Sequence, residues 1–147
     1  LAQRLRDLAA DGIVRRDDAE GLYELTSFGR GLEGAVHELI RWGGRWMVER
    51  GAGDEFRPEW LVVALAALIP RRRSGRIEIR TEGSVLHVSR GRVGLGEMDD
   101  PDAVIEGPAE AVLGIAAGKL PLSSVTIRGS GAAAATALGV EADASRR

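Results

Sequence analysis

LTSFGRGLEGAVHELIRWGGRWMV, residues 25–48, is the stretch whose reading decides the fold. It reads as one long helix. Thr26 stands at its start, where a hydroxyl accepts a hydrogen bond from an orphan N–H of the first turn. Leu32, Val36, Leu39, Gly43, Trp46 and Met47 then recur at three- and four-residue steps, which places them on one helical face. Ile40 and Trp42 widen that stripe, and Glu33, Glu38, Arg41 and Arg45 supply the wet side. The Gly43-Gly44 pair costs roughly 1 kcal/mol per Gly relative to Ala inside a helix. It suits a place where another backbone comes close or the helix bends. Two readings stand. The stretch is the core helix of one domain, or it pairs with its twin in a second chain through Leu32, Val36, Leu39, Gly43 and Trp46.

What precedes the stretch is ordered. LAQRLRDLAADGIVRR, residues 1–16, opens with a short amphipathic helix, with Leu1, Leu5 and Leu8 on one face and Gln3, Arg4, Arg6 and Asp7 off it. Asp11-Gly12 ends it, because Gly takes the left-handed position without a Cβ clash. Ile13-Val14 begins a strand, residues 15–21 form a polar turn, and residues 22–25 alternate as a returning strand. The chain opens at Leu1, inside a helical pattern and without an initiator Met, so further residues are expected before it.

Helix, hairpin and long helix, with these residues, resemble the second half of a winged-helix DNA-binding domain of the MarR, HxlR and PadR type. The carrying residues are Leu5-Arg6-Asp7-Leu8, Asp11-Gly12-Ile13-Val14-Arg15-Arg16, and Tyr23-Glu24-Leu25-Thr26 with Gly29-Arg30. The phrase ending in Leu39 and Trp42-Gly43 is most like the HxlR type. The resemblance implies that the first helix lies in the major groove, that the hairpin is the wing, and that the long helix builds a dimer. Gln3, Arg4 and Arg6 would then face DNA, and Arg15, Arg16 and Arg30 would approach phosphates. The helices that normally precede such a recognition helix are not in this sequence. Chemistry allows the assignment independently: Arg offers a planar fork for guanine or phosphate, and Gln can read adenine. The plainer alternative is that these arginines are solvated charges, some paired with Asp7, Asp11, Asp17 or Asp18.

Composition narrows the classes. The chain has 147 residues, 44% hydrophobic and 29% charged, which describes globular rather than disordered protein. A formal net charge of -2 announces no nucleic-acid binder by itself, so any such face is local. Cysteine is absent, which removes disulfides, thiolate nucleophiles and zinc knuckles. No apolar run reaches the roughly 18 residues of a spanning helix. A cytoplasmic location with no membrane partner is expected.

Residues 49–57 (ERGAGDEFR) are Gly-rich and polar, and mark the boundary between a domain at 1–50 and another at 57–140. The second opens with Pro58-Glu59-Trp60, which suits a first helical turn, and WLVVALAALI is apolar nearly all round until Pro70. Arg71-Arg72-Arg73 reads as a solvated turn. Residues 76–80, 85–89 and 93–97 alternate as a meander of antiparallel strands with one buried face. A strand at 103–106, a helix at 108–117, a strand at 125–128 and a short Ala-rich helix at 132–138 follow. Strands first and helices after give an α+β class.

This part resembles the sterol-carrier-protein type-2 fold. The carrying residues are Ala103-Val104-Ile105-Glu106-Gly107-Pro108, Val112-Leu113 through Ala117-Gly118-Lys119-Leu120, and Val125-Thr126-Ile127-Arg128-Gly129-Ser130. The resemblance implies a sheet covering an apolar cavity for a hydrophobic ligand. Trp60, Leu61, Leu65, Val112, Ile115 and Leu120 are the candidate lining. His87 joins them if the second face of the sheet lines the cavity, and is solvated if Leu86 and Val88 fill the core. Plain core is the competing reading for all of them.

Catalytic signals are weak. Neither His37 nor His87 has a metal ligand at i+3 or i+4, so no metal site is expected. Gly129-Ser130-Gly131-Ala132-Ala133-Ala134 mimics a dinucleotide fingerprint, but lacks the βαβ unit and the distant acid that the fingerprint requires. It is read as a strand-to-helix corner. The sequence therefore predicts an α+β protein without enzymatic activity or cofactor. It would be a bacterial, dimeric, ligand-responsive transcriptional regulator that binds double-stranded operator DNA. The alternative is a carrier of hydrophobic ligands, or a dimeric scaffold, that binds no DNA.

Overall fold

The structure is a computed structural model and describes residues 2–17, 21–43, 58–71 and 74–141. Its contacts divide the chain into two compact units, Leu1–Glu38 and Leu39–Arg147.

The first unit starts with α1 (Ala2–Ala10), followed by the strands β1 (Val14–Arg16) and β2 (Tyr23–Leu25), paired antiparallel. α1 ends on Gly12 at φ 71°, with Gly12 N–H bonded to the Ala9 carbonyl and Ile13 N–H to the Leu8 carbonyl. That paired closure needs a left-handed residue at this position, which Gly adopts without strain.

The helix expected from Thr26 onward is interrupted. α2 (Ser27–Arg30) makes one turn, and α3 (Glu33–Gly43) begins after Gly31-Leu32. Thr26 caps α2 as expected, its hydroxyl accepting from the Gly29 N–H. The turn then tightens, with Gly31 N–H bonded to the Phe28 carbonyl and Leu32 N–H to the Gly29 carbonyl. Two glycines within three residues give the α-helical ladder little to gain there. α3 runs across the division between the units. Trp46, Met47 and the expected linker at 49–57 lie outside the described residues.

The second unit holds α4 (Pro58–Leu68) and the strands β3 (Arg76–Thr81), β4 (Ser84–Ser89), β5 (Arg92–Leu95) and β6 (Ala103–Glu106). α5 (Ala109–Ala116), a 3-10 turn at Leu122–Ser124, β7 (Thr126–Gly129) and α6 (Gly131–Leu138) complete it. The sheet order is β5-β4-β3-β6-β7. β3, β4 and β5 form the expected antiparallel meander, but β6 pairs parallel with β3. A parallel neighbour needs a long return, and the chain makes it from the sheet edge at β5.

One face of this sheet is the core. Ile77, Ile79, Leu86, Val88 and Ile105 point into it at alternate positions and meet Leu61, Leu65, Val112 and Ile115, all fully buried. Each such side chain contributes about 1.5–3 kcal/mol on burial. The opposite face is polar, yet Glu78 upon it is only 2% exposed. The Arg80 Nε donates to its Oε1 at 2.7 Å and the Met98 N–H to its Oε2 at 2.9 Å. The Met98 N–H, followed by the Arg80 guanidinium, holds this carboxyl below the usual carboxylate range against the opposing effect of burial. No helix among the described residues is long and apolar enough to cross a membrane.

Candidate nucleic-acid interface

α1 is positioned by the segment that follows the hairpin. The Thr26 hydroxyl lies 2.6 Å from the Gly12 carbonyl, to which it donates, and the Thr26 N–H donates to the Ile13 carbonyl at 3.0 Å. Gly29 is buried against the Ile13 carbonyl, which a Cβ at that position would strike. The end of α1, the root of the hairpin and the start of α2 are thus joined at one point. This gives a physical reason for the Gly12, Thr26 and Gly29 spacing.

With α1 held, its half-buried residues are Leu5 and Ala9, while Gln3, Arg4, Arg6 and Asp7 are exposed. The exposed side chains are linked. The Gln3 Nε2 donates to the Asp7 Oδ1 at 2.8 Å, and the Arg6 Nη2 donates to the Gln3 Oε1 at 2.7 Å. On the hairpin, Arg15 and Glu24 are cross-strand partners and their side chains bond at 2.7 Å. Both are well exposed, so the pair contributes at most about 1 kcal/mol and yields readily to another anion. Arg16 and Arg30 are exposed, and neither they nor Arg4 form an ion pair among the described residues. Of the alternative pairings with aspartates, Arg15 takes Glu24 instead, Asp7 takes Gln3, and Asp18 lies outside the described residues.

α3 has its burial inverted. His37 is 6% exposed, 3.9 Å from Glu33, and the Arg41 Nε donates to the Ala67 carbonyl at 2.8 Å. Leu32, Val36, Leu39 and Trp42 are exposed, the last two by 64% and 66%. Gly43 has open space where a Cβ would stand. Apolar side chains thus face solvent while a His takes the buried position of the helix. Phe28 on α2 is exposed as well.

The candidate ligand-lining residues separate into groups. Leu61, Leu65, Val112 and Ile115 are brought together in the core of the second unit. Trp60 is 58% exposed, and Leu120, also exposed, lies against Gly114. His87 stands on the opposite face of the sheet from Leu86 and Val88, against Gly94, with its Nδ1 3.2 Å from the Gly96 carbonyl. The sheet stands between it and the core residues. The Gly129–Ala134 corner is filled: Gly129 backs onto the Asp102 carbonyl and the Ser130 hydroxyl accepts from the Ala133 N–H. Among the described residues, no group of three or more His, Asp and Glu is placed to hold a metal ion.

Two features escaped sequence reading. Glu78 alternates with Ile77 and Ile79, which reads as a solvent position, and only the return of residues 96–102 over that face buries it. Asp7 reads as an ordinary surface acid, and its link to Gln3 is legible only from their four-residue spacing.

Residues 1–50 match the family model described as HxlR-like helix-turn-helix. YtcD of Bacillus subtilis, described as an uncharacterized HTH-type transcriptional regulator, is 39% identical over 61 residues, covering 38% of this chain. That stretch is 48% of the relative, so the chain spans about half the length of the curated relative it matches. Among solved structures, the crystal structure of Sterol Carrier Protein 2 Like 2 from Aedes aegypti aligns with 71% of this chain and 94% of its own. Its TM-score is 0.36, at 18% identity. The first third of the chain thus carries the HxlR-like pattern, on the residues whose contacts build the helix, the hairpin and their junction.

Proposed function

We propose that this chain is the DNA-reading and pairing portion of a transcriptional regulator that acts as a homodimer in the cytoplasm. The observation that carries the reading is the junction of Gly12, Ile13, Thr26 and Gly29. It fixes α1 beside the hairpin and leaves Gln3, Arg4 and Arg6 outward on one element and Arg15 and Arg16 outward on the other. Arginine forks of this kind suit phosphate and guanine edges, with phosphate contacts setting register and base contacts setting sequence. The match of residues 1–50 to an HxlR-like helix-turn-helix supports the same assignment.

The second copy is proposed to sit on α3 and the Leu32 before it, across Leu32, Val36, Leu39, Trp42 and Gly43. An exposed apolar row beside a buried histidine is costly in a lone protomer and ordinary in an interface. The second unit is proposed as the effector-sensing part. Its support is the gathering of Leu61, Leu65, Val112 and Ile115 in one apolar cluster, which a hydrophobic molecule would have to open. Ligand binding acts on DNA affinity only through a difference between two dimer geometries.

Salt titration of duplex binding by the full-length natural protein tests the DNA assignment. Affinity is expected to fall steeply as salt rises. Binding that ignores salt, or none, overturns it and favours the carrier or scaffold. Native mass spectrometry of the purified protein tests the effector: a retained hydrophobic molecule is expected.

A further inference from the structure

We infer that Asp7 is a specificity-determining residue of the DNA-facing helix, its carboxylate accepting a hydrogen bond from the exocyclic amino group of an operator cytosine. The inference rests on the DNA-binding reading proposed above.

Position comes first. The half-buried residues of α1 are Leu5 and Ala9, and at 3.6 residues per turn the opposite direction belongs to Gln3 and Asp7. Arg4 and Arg6 flank them. The centre of the outward face therefore carries the one acidic residue of α1. A carboxylate there faces a polyanion, and repulsion weakens binding unless a donor meets it.

The hydrogen bonds then limit what this face can read. Gln3 recognises adenine by using its carbonyl and its amide nitrogen together. Here the carbonyl takes the Arg6 guanidinium and the nitrogen gives a proton to Asp7 Oδ1. Gln3 is thereby occupied along the helix, and Arg6 is turned toward it. The Asp7 Oδ2 has no hydrogen-bond partner among the described residues. It is an acceptor on a fixed side chain at the middle of the face. In the major groove cytosine offers a donor at N4, adenine offers one at N6 beside the acceptor N7, and guanine O6 and N7 and thymine O4 are acceptors that repel it. Asp7 thus favours cytosine by attraction, rejects guanine and thymine edges by repulsion, and meets adenine less well because N7 lies beside its amino group, at some cost in overall affinity.

The test uses the full-length natural protein and its Asp7→Ala and Asp7→Asn variants. Site selection from randomised duplexes supplies the operator, and fluorescence anisotropy reads affinity. One cytosine in each half-site is expected to matter through its amino group. Replacing it with 2-pyrimidinone, which lacks that group, should weaken wild-type binding about tenfold and leave Asp7→Ala, which has no acceptor there, unchanged. Asp7→Asn should also bind scrambled duplex more tightly than wild type. The inference is overturned if Asp7→Ala keeps the same preference for the amino group. It is also overturned if Asp7→Asn and Asp7→Ala tighten binding equally on every sequence, because Asp7 then acts only as a charge. Failure of the wild type to bind any duplex is a different result, and removes the DNA-binding reading itself.

Discussion

The two units bury their apolar side chains in opposite ways. In the second, large apolar residues of α4, α5, α6 and three central strands close on one another, with Leu65, Ile79, Leu86 and Ile115 fully buried. In the first, no large apolar side chain among the described residues is fully buried. Leu22, Leu25, Phe28, Leu32 and Val36 are exposed instead, and the buried positions fall to Gly29 and His37. The first unit is held by backbone closure, a cap and a junction of polar contacts. A unit of that size rarely stands on such contacts alone. Its apolar surface is placed where another molecule can cover it, whereas the second unit has used its apolar surface on itself.

The largest expected effect probes this contrast directly. Leu65→Ala should cost about 2–5 kcal/mol of folding stability, because a cavity opens in a closed core. Val36→Ala, on the exposed stripe of the first unit, should change protomer stability by under about 0.5 kcal/mol, yet make thermal melting depend more strongly on protein concentration as the proposed dimer loosens. Calorimetry across a concentration series measures both. Equal losses for the two variants would erase the distinction between the units.

Glu78→Gln gives the next effect, about 1–3 kcal/mol at neutral pH, through the weakened hold on Met98 and Arg80. Its sign follows from the depressed folded-state pKa. The stabilisation is complete above the unfolded carboxylate pKa, near 4.3, and is lost as pH falls through the lower folded value. Wild-type stability should therefore drop more steeply in acid than that of Glu78→Gln. Urea titrations at several pH values check this, and parallel pH curves would refute it. Thr26→Ala should cost about 1 kcal/mol from the lost cap. It should loosen the first unit while leaving amide exchange in the β3–β6 core unchanged.

Much of this was legible beforehand. The α+β class, the three-strand meander and the Thr26 cap follow from alternation and from one hydroxyl. The HxlR-like reading followed from the order of short motifs, each explained by a backbone contact at Gly12, Thr26 or Gly29. The continuous helix from Thr26 was not met, because the tight turns at Gly31 and Leu32 depend on local hydrogen bonding that an apolar stripe does not encode. The parallel pairing of β6 with β3 was also hidden, since alternation reports a strand but not its neighbour. The candidate lining residues show a similar limit. Leu61 and His87 are separable only once the sheet is known to stand between them.

That parallel pairing bears on how the chain acquires its form during synthesis. β3 is the central strand of its sheet, but one of its two neighbours is made only after the whole meander. At about 5–20 residues per second, β6 emerges some 1–4 s after β3, a long interval beside the microseconds in which a hairpin forms. Throughout it, one edge of β3 has no partner, and such an edge invites mispairing. The nascent meander therefore carries an open edge that closes only when β6 arrives.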